Sequence, residues 1–341
     1  MGSNVLTSNK IKNVPESVFH GLGNLKDLFL AGNLIVSLPN RLFQGLSKLE
    51  YLVLQGNEIS KFEPGLFNAL VSLRRLSIGR NPFGGSIPSG IFKDLKDLRE
   101  LDISNSGITV IHPESFSGLK ALRVLYLENN NITTIPAGAF KHLDNLKRLV
   151  LRANQLTEIK RGAFDGLKSL ETLRLNDNKI TRLQSCLLRG LTKLRHLHLR
   201  NNSISTLGND VFGPTPLLHS LDLSFNRLTT LNFELFENLH DLRGTFTVWG
   251  NPFECTCHLY DALMLLHNMY RYLGGRFHIN MGHCDKNVRL HAIIFWLGLD
   301  QARRAMNCPT PTPITYTWPT VSLEMLLDMR KGKVPKADRA K

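Results

Sequence analysis

Three groups of residues have the types and spacing for chemistry. His196 and Ser220, and His198 and Asp222, stand 24 residues apart in two pairs. Together they supply the side chains of nucleophilic acyl transfer, in which an oriented imidazole takes the proton of a hydroxyl. Cys255, Cys257, Cys284 and Cys308 lie near His258, His267 and His283, a donor set for disulfides or for a tetrahedral zinc ion. Asn131-Ile132-Thr133 and Asn201-Asn202-Ser203 are acceptor triplets for N-linked glycans. The fifth cysteine, Cys186, stands apart from the others. No Gly-rich phosphate loop and no HExxH pair occurs.

The elements that must position these groups come from one repeated unit. Leu25-Lys-Asp-Leu28-Phe-Leu30-Ala-Gly-Asn33 returns as Leu49…Asn57, Leu73…Asn81, Leu122…Asn130, Leu146…Asn154, Leu170…Asn178, Leu194…Asn202 and Leu218…Asn226. The step is 24 residues except once, where Gly84-Gly85 adds one and Ser106 replaces the asparagine. A truncated first copy, Asn4…Leu6…Asn9, and a degenerate last one, Arg243…Asn251, bring the expected strands to eleven. Period-2 leucines make a short strand with one face inward, stacked in parallel on its neighbours. The asparagine is expected to satisfy backbone groups of adjacent turns in a ladder. Each unit returns through a second signature: Phe19, Phe43, Phe67, Phe92, Phe116, Phe140, Phe164, Phe212 and Phe236 hold one register, broken only by Leu188. No unit buries its apolar edge alone, so stacking supplies the core.

The period, strand consensus and phenylalanines together resemble the 24-residue leucine-rich repeats of animal extracellular proteins, such as Toll-like receptors, Slit-like guidance proteins and variable lymphocyte receptors. The resemblance covers residues 1–250 and implies an α/β solenoid, a horseshoe with a parallel sheet on its concave face. Asn251-Pro252-Phe253-Glu254-Cys255-Thr256-Cys257 is similar to the cysteine-rich C-terminal cap of that family. This prefix, and its place after the last repeat, favour disulfides over zinc. Four cysteines allow three pairings; the resemblance implies Cys255 with Cys284 and Cys257 with Cys308. On this division 251–309 is the cap, and 310–341 is a Pro/Thr linker with a basic, disordered tail. The family's cysteine-bearing N-terminal cap is missing, which raises self-association through the uncapped first repeat. Cys186 reads as a free, part-buried thiol at a position held by Gly138 and Gly162 in neighbouring repeats, with an intermolecular disulfide as the alternative.

Composition bounds the partners. Lys and Arg number 42 against 28 Asp and Glu, a net charge of +14, which favours acidic surfaces. No apolar run reaches the length of a membrane span, and Met1-Gly2-Ser3 leads into polar sequence rather than a signal peptide. Disulfides imply an oxidising compartment, hence an extracellular protein, secreted or a receptor ectodomain. Outward strand positions form the candidate binding face. Its central patch is Val124, Tyr126, Arg148, Val150, Arg152, Arg174, His196, His198 and Arg200; a second, smaller one is Phe29, Tyr51 and Val53. Aromatics beside arginines have the composition of protein-binding hot spots, and the paired histidines suggest tighter binding at mildly acidic pH. An open sheet supplies no oxyanion hole, so Ser220, the histidines and Asp222 are not expected to catalyse. The reading is a non-enzymatic recognition module for an extracellular protein or glycan, with sulfated glycosaminoglycan as the alternative ligand. It expects no cofactor, metal or nucleic acid.

Overall fold

The leucine spacing becomes a stack of three-residue strands in the computed structural model, which describes residues 2–254 apart from 237, 238, 240 and 243. Among the described residues, eleven strands form one parallel sheet in chain order. They are β1 (Ser3–Val5), β2 (Asp27–Phe29), β3 (Tyr51–Val53), β4 (Arg75–Ser77), β5 (Glu100–Asp102), β6 (Val124–Tyr126), β7 (Arg148–Val150), β8 (Thr172–Arg174), β9 (His196–His198), β10 (Ser220–Asp222) and β11 (Phe246–Thr247). Pairing keeps repeat positions in columns, for example Tyr126, Val150, Arg174, His198 and Asp222. A one-residue slip would turn the central leucines outward; from Leu28 to Leu221 those leucines are at most 1% exposed.

The returns between strands contain no α-helix among the described residues. They are turns, one 3-10 helix at Phe233–Phe236, and short strand pairs such as Thr134–Ile135 with Glu158–Ile159. Left-handed backbone explains this. Gly162 (φ 79°) and Gly166 (φ 91°) bracket one return, leaving three residues between them, too few to propagate a helix. Cys186 (φ 59°) and Gly190 (φ 87°) bracket the next. The cysteine therefore occupies a glycine slot with a left-handed conformation, and its thiol is free and half-buried.

Curvature follows from two unequal spacings. Strands in a sheet lie about 4.8 Å apart. On the return side, stacked phenylalanines are farther apart: Phe43, Phe67 and Phe92 at 6.2 Å, Phe140 and Phe164 at 6.5 Å. The side with the shorter spacing becomes the inside of the bend, so the sheet is concave.

The asparagines form the expected ladder. Asn154 Nδ2 donates to the carbonyls of Leu127 (2.9 Å) and Leu151 (3.1 Å), while its Oδ1 accepts from Ile132 N–H (3.1 Å). The same pattern holds at Asn57, Asn130, Asn178, Asn202, Asn226 and Asn251. Ser106 interrupts it: the hydroxyl turns back to the Ser104 carbonyl (3.0 Å), and Phe83 N–H bonds to its neighbour Asn81 O (2.9 Å) instead of to the next repeat.

At the C-terminal end Phe253 is buried, so the Asn-Pro-Phe prefix is seated on the last repeat. The cysteines Cys255, Cys257, Cys284 and Cys308, with residues 310–341, lie outside the described residues.

Candidate functional site

The concave face presents the outward positions of every strand. In the central patch Arg148, Arg152 and Arg174 are exposed, while Val124, Tyr126, His196, His198 and Arg200 are half-buried. Val150 departs from expectation: it is 1% exposed and offers nothing to a ligand. Its column places it between Tyr126 and Arg174, two larger side chains, and a short branched residue between them is covered. The N-terminal patch is present, with Tyr51 39% exposed and Phe29 and Val53 half-buried. It stands apart from the central patch, because β4 and β5 intervene with the Arg75–Glu100 ion pair at 3.0 Å. Three strand steps of about 4.8 Å put roughly 14 Å between β3 and β6.

The basic groups differ in freedom. Arg152 Nε is held by Asp177 Oδ2 at 2.8 Å. That carboxylate also accepts from Asn176 Nδ2 (2.7 Å) and Asn201 Nδ2 (2.9 Å). Burial by itself would raise the Asp177 pKa, but the hydrogen bonds from Asn201, Arg152 and Asn176 outweigh it and hold the carboxyl below its ordinary value. Arg200 stacks over Phe225 (4.2 Å to the ring centroid) and Trp249 (4.9 Å). Arg148 and Arg174, by contrast, have no ion pair within 4.0 Å among the described residues.

Both patch histidines are held below their ordinary pKa. For His196 the causes are burial, then the charges of His219, Arg195, Arg148 and Arg174. For His198 burial leads, followed by Arg174, with Asp222 opposing. Each is therefore neutral at pH 7, and the charge of the patch there comes from arginine.

Asp222, the acid of the Ser-His-Asp combination that is not expected to catalyse, is engaged elsewhere. Its Oδ1 accepts from Ser224 N–H (3.0 Å), Ser224 Oγ (2.5 Å) and Thr247 Oγ1 (2.6 Å). His196 instead meets His219 edge-on at 6.0 Å between ring centroids. The two glycan acceptors also differ. Asn131 and Asn201 are both exposed at strand-end turns, but the Asn201 carboxamide is tied to Asp177, whereas Asn131 rims a shallow depression lined by Arg80, Asn105 and Gly107.

Sequence reasoning missed Phe225 and Trp249. Trp249 occupies the same repeat position as Arg152 and Arg200, so extending that column into the degenerate last copy would have found it. Phe225 sits one position further on, next to the ladder asparagine Asn226, and nothing in the period singles it out.

The "Leucine rich repeat" family model matches residues 5–59, 31–83, 85–132, 121–180, 168–228 and 192–244. No curated protein sequence matches the chain. Among solved structures, a chain from the octameric complex of Latrophilin 3, Unc5D and FLRT2 (LRR) is 24% identical, with a TM-score of 0.71 over 84% of this chain and 85% of that one. An internalin, InlF, from Listeria monocytogenes is 19% identical, with a TM-score of 0.57 over 85% and 88%. A chain of the Drosophila Toll–Spatzle complex is 20% identical, with a TM-score of 0.61 over 84% of this chain; the match spans 49% of that chain's length. At these identities the likeness establishes the fold.

Proposed function

The chain belongs to the leucine-rich repeat family, and on that premise we propose that it is a non-catalytic extracellular recognition module whose concave face, at β6–β9, binds a protein ligand. The observation that carries this reading is the state of Arg148 and Arg174. They are exposed on adjacent strands with no ion pair within 4.0 Å among the described residues, while Arg75 and Arg152 on the same face are held by Glu100 and Asp177. Free guanidinium groups beside a half-buried tyrosine and valine can form bidentate bonds to partner carboxylates, while Tyr126 and Val124 supply apolar contact. Similar chains come from protein assemblies: FLRT2 with Unc5D and Latrophilin 3, and Toll with Spatzle. That supports protein as the ligand class. The cysteine spacing from Cys255 to Cys308 and the acceptor triplets at Asn131 and Asn201 support an extracellular setting.

A sulfated glycosaminoglycan is the second reading, supported by the net charge of +14. The two separate in one experiment. The full chain is screened against a panel of extracellular protein domains by surface plasmon resonance, and separately on a heparin column. A protein ligand whose affinity falls at least tenfold in the Arg148→Ala/Arg174→Ala double variant, and again in Tyr126→Ala, supports the first reading. Heparin retention that persists above about 0.3 M salt, where weak non-specific attraction is screened, favours the second. Protein binding that none of these substitutions alters overturns the concave-face assignment.

A further inference from the structure

The free charges of the concave face are ordered along the solenoid. Across β4–β8, Arg75 with Glu100 and Arg152 with Asp177 are neutralised as ion pairs at 3.0 and 2.8 Å. Four other charges at outward positions of the same stretch have no ion pair within 4.0 Å among the described residues. Asp102 and Glu128 belong to the repeats of β5 and β6, Arg148 and Arg174 to those of β7 and β8. The two acids are half-buried and the two arginines exposed. Ser104 N–H (2.9 Å) and Ser77 Oγ (3.3 Å) donate to the Asp102 carboxylate and fix it without cancelling its charge. Gly79 keeps the near side of that carboxylate open, since a Cβ there would lie 3.1 Å from Oδ1.

The register sets the distances. Asp102, Tyr126, Val150 and Arg174 share one column, so three strand steps put about 14 Å between the acid and the base. Glu128 and Arg148 are one strand step and four residue positions apart, again about 14 Å. Resting on the reading that the concave face binds protein, we propose that its partner presents an extended segment lying across the strands, with a basic and an acidic residue four positions apart and an apolar residue between them. An extended chain advances about 13 Å in four residues and returns every second side chain to the same face. The basic residue then meets Asp102, the acidic one Arg174 and the apolar one Tyr126, while Glu128 and Arg148 widen the two charged ends. A second copy of this chain does not fit, because two concave sheets meet at their rims and not at their centres. A uniform polyanion is disfavoured, because its charges would face Asp102 and Glu128 as well as the arginines.

The probe is a phage-displayed library of random linear peptides, selected on the full chain. Enriched peptides are expected to carry Lys or Arg four positions from Asp or Glu, in either chain direction. A synthetic peptide of this pattern is expected to bind about tenfold more weakly to Asp102→Asn and to Arg174→Gln. Replacing its basic residue with alanine is expected to abolish the effect of Asp102→Asn, which a merely structural role of Asp102 would not do. Should Asp102→Asn not fold, Glu128→Gln is the second variant and is expected to weaken binding in the same direction. Enriched peptides that carry acidic residues alone, depend on Arg148 and Arg174 and ignore both acid substitutions overturn the proposed pattern and leave the concave-face reading intact. Peptides indifferent to substitution of all four residues overturn both. An absence of any enrichment overturns the proposed pattern alone.

Discussion

The guanidinium carbon of Arg200 lies 4.2 Å above the ring of Phe225, and that ring meets Trp249 at 4.0 Å and 63°. Three successive repeats are thereby tied together along one edge of the sheet. Cation–π contacts of this kind are worth about 0.5–2 kcal/mol. Phe225→Ala is expected to destabilise the chain by about 1–3 kcal/mol, ring burial included, and to shift Trp249 emission to longer wavelength. Fluorescence-monitored urea unfolding checks both; an unchanged emission maximum would contradict the stacking.

The asparagine ladder makes a larger prediction. Asn154→Ala leaves the buried Ile132 N–H without its partner and removes one of the two amide donors of the Leu127 and Leu151 carbonyls, which keep Asn130 and Asn178. A buried group left unsatisfied costs about 1–3 kcal/mol and an ordinary hydrogen bond contributes about 0.5–1.5 kcal/mol, so a loss of about 2–4 kcal/mol is expected once relaxation is allowed for. Exposed Asn131, by comparison, should tolerate alanine within about 0.5 kcal/mol.

Histidine titration sets a pH dependence with a definite sign. His196 and His198 have folded-state pKa values below the ordinary 6.5, so below that value the unfolded chain binds more protons. Their contribution to stability is fully present above pH 6.5 and is lost as pH falls through that value towards the lower folded-state one. The melting temperature is expected to drop between pH 7.5 and 5.5, and to drop less in His198→Gln. The same shift moves any acid-strengthened ligand binding below the pH at which a free histidine would switch, so affinity measured across this range reports whether the histidines take part.

Occupancy of the two glycan acceptors is expected to differ. Asn201 Nδ2 donates to Asp177 at 2.9 Å, and a sugar there would crowd the carboxylate that also holds Arg152. Asn131 borders an open depression. Secreted from animal cells, the protein should carry its glycan at Asn131, and Asn131→Gln should remove most of the enzymatically releasable mass. A glycan found chiefly at Asn201 would refute this.

Cys186 holds a left-handed backbone at φ 59°, which costs an L-residue roughly 1–2 kcal/mol. Cys186→Gly is expected to be neutral or to stabilise by up to about 1 kcal/mol, and β-branched Cys186→Val to destabilise by more than about 1 kcal/mol. Equilibrium unfolding of the two variants separates them.

How far the sequence reaches depends on what a 24-residue period encodes. It determined which residues face inward, because alternation along a strand and stacking of equal units leave Leu28, Leu52 and their successors one place to go. It determined the asparagine ladder, the phenylalanine register and the glycine slot that Cys186 fills, since each repeats along the chain. It located the candidate face as well. It did not determine which residues on that face are free. Val150 is covered by larger neighbours, Arg152 is claimed by Asp177, and Arg200 is stacked on Phe225. These outcomes depend on side-chain length and on diagonal contacts between adjacent repeats, such as Arg152 with Asp177 or Arg200 with Phe225. The period brings those residues within reach of several partners, and only the packed structure chooses among them. The outward turn of Phe83 is decided in the same way. The extra glycine and Ser106 are visible in the sequence, but the direction in which Phe83 turns is set by which backbone groups it can still reach.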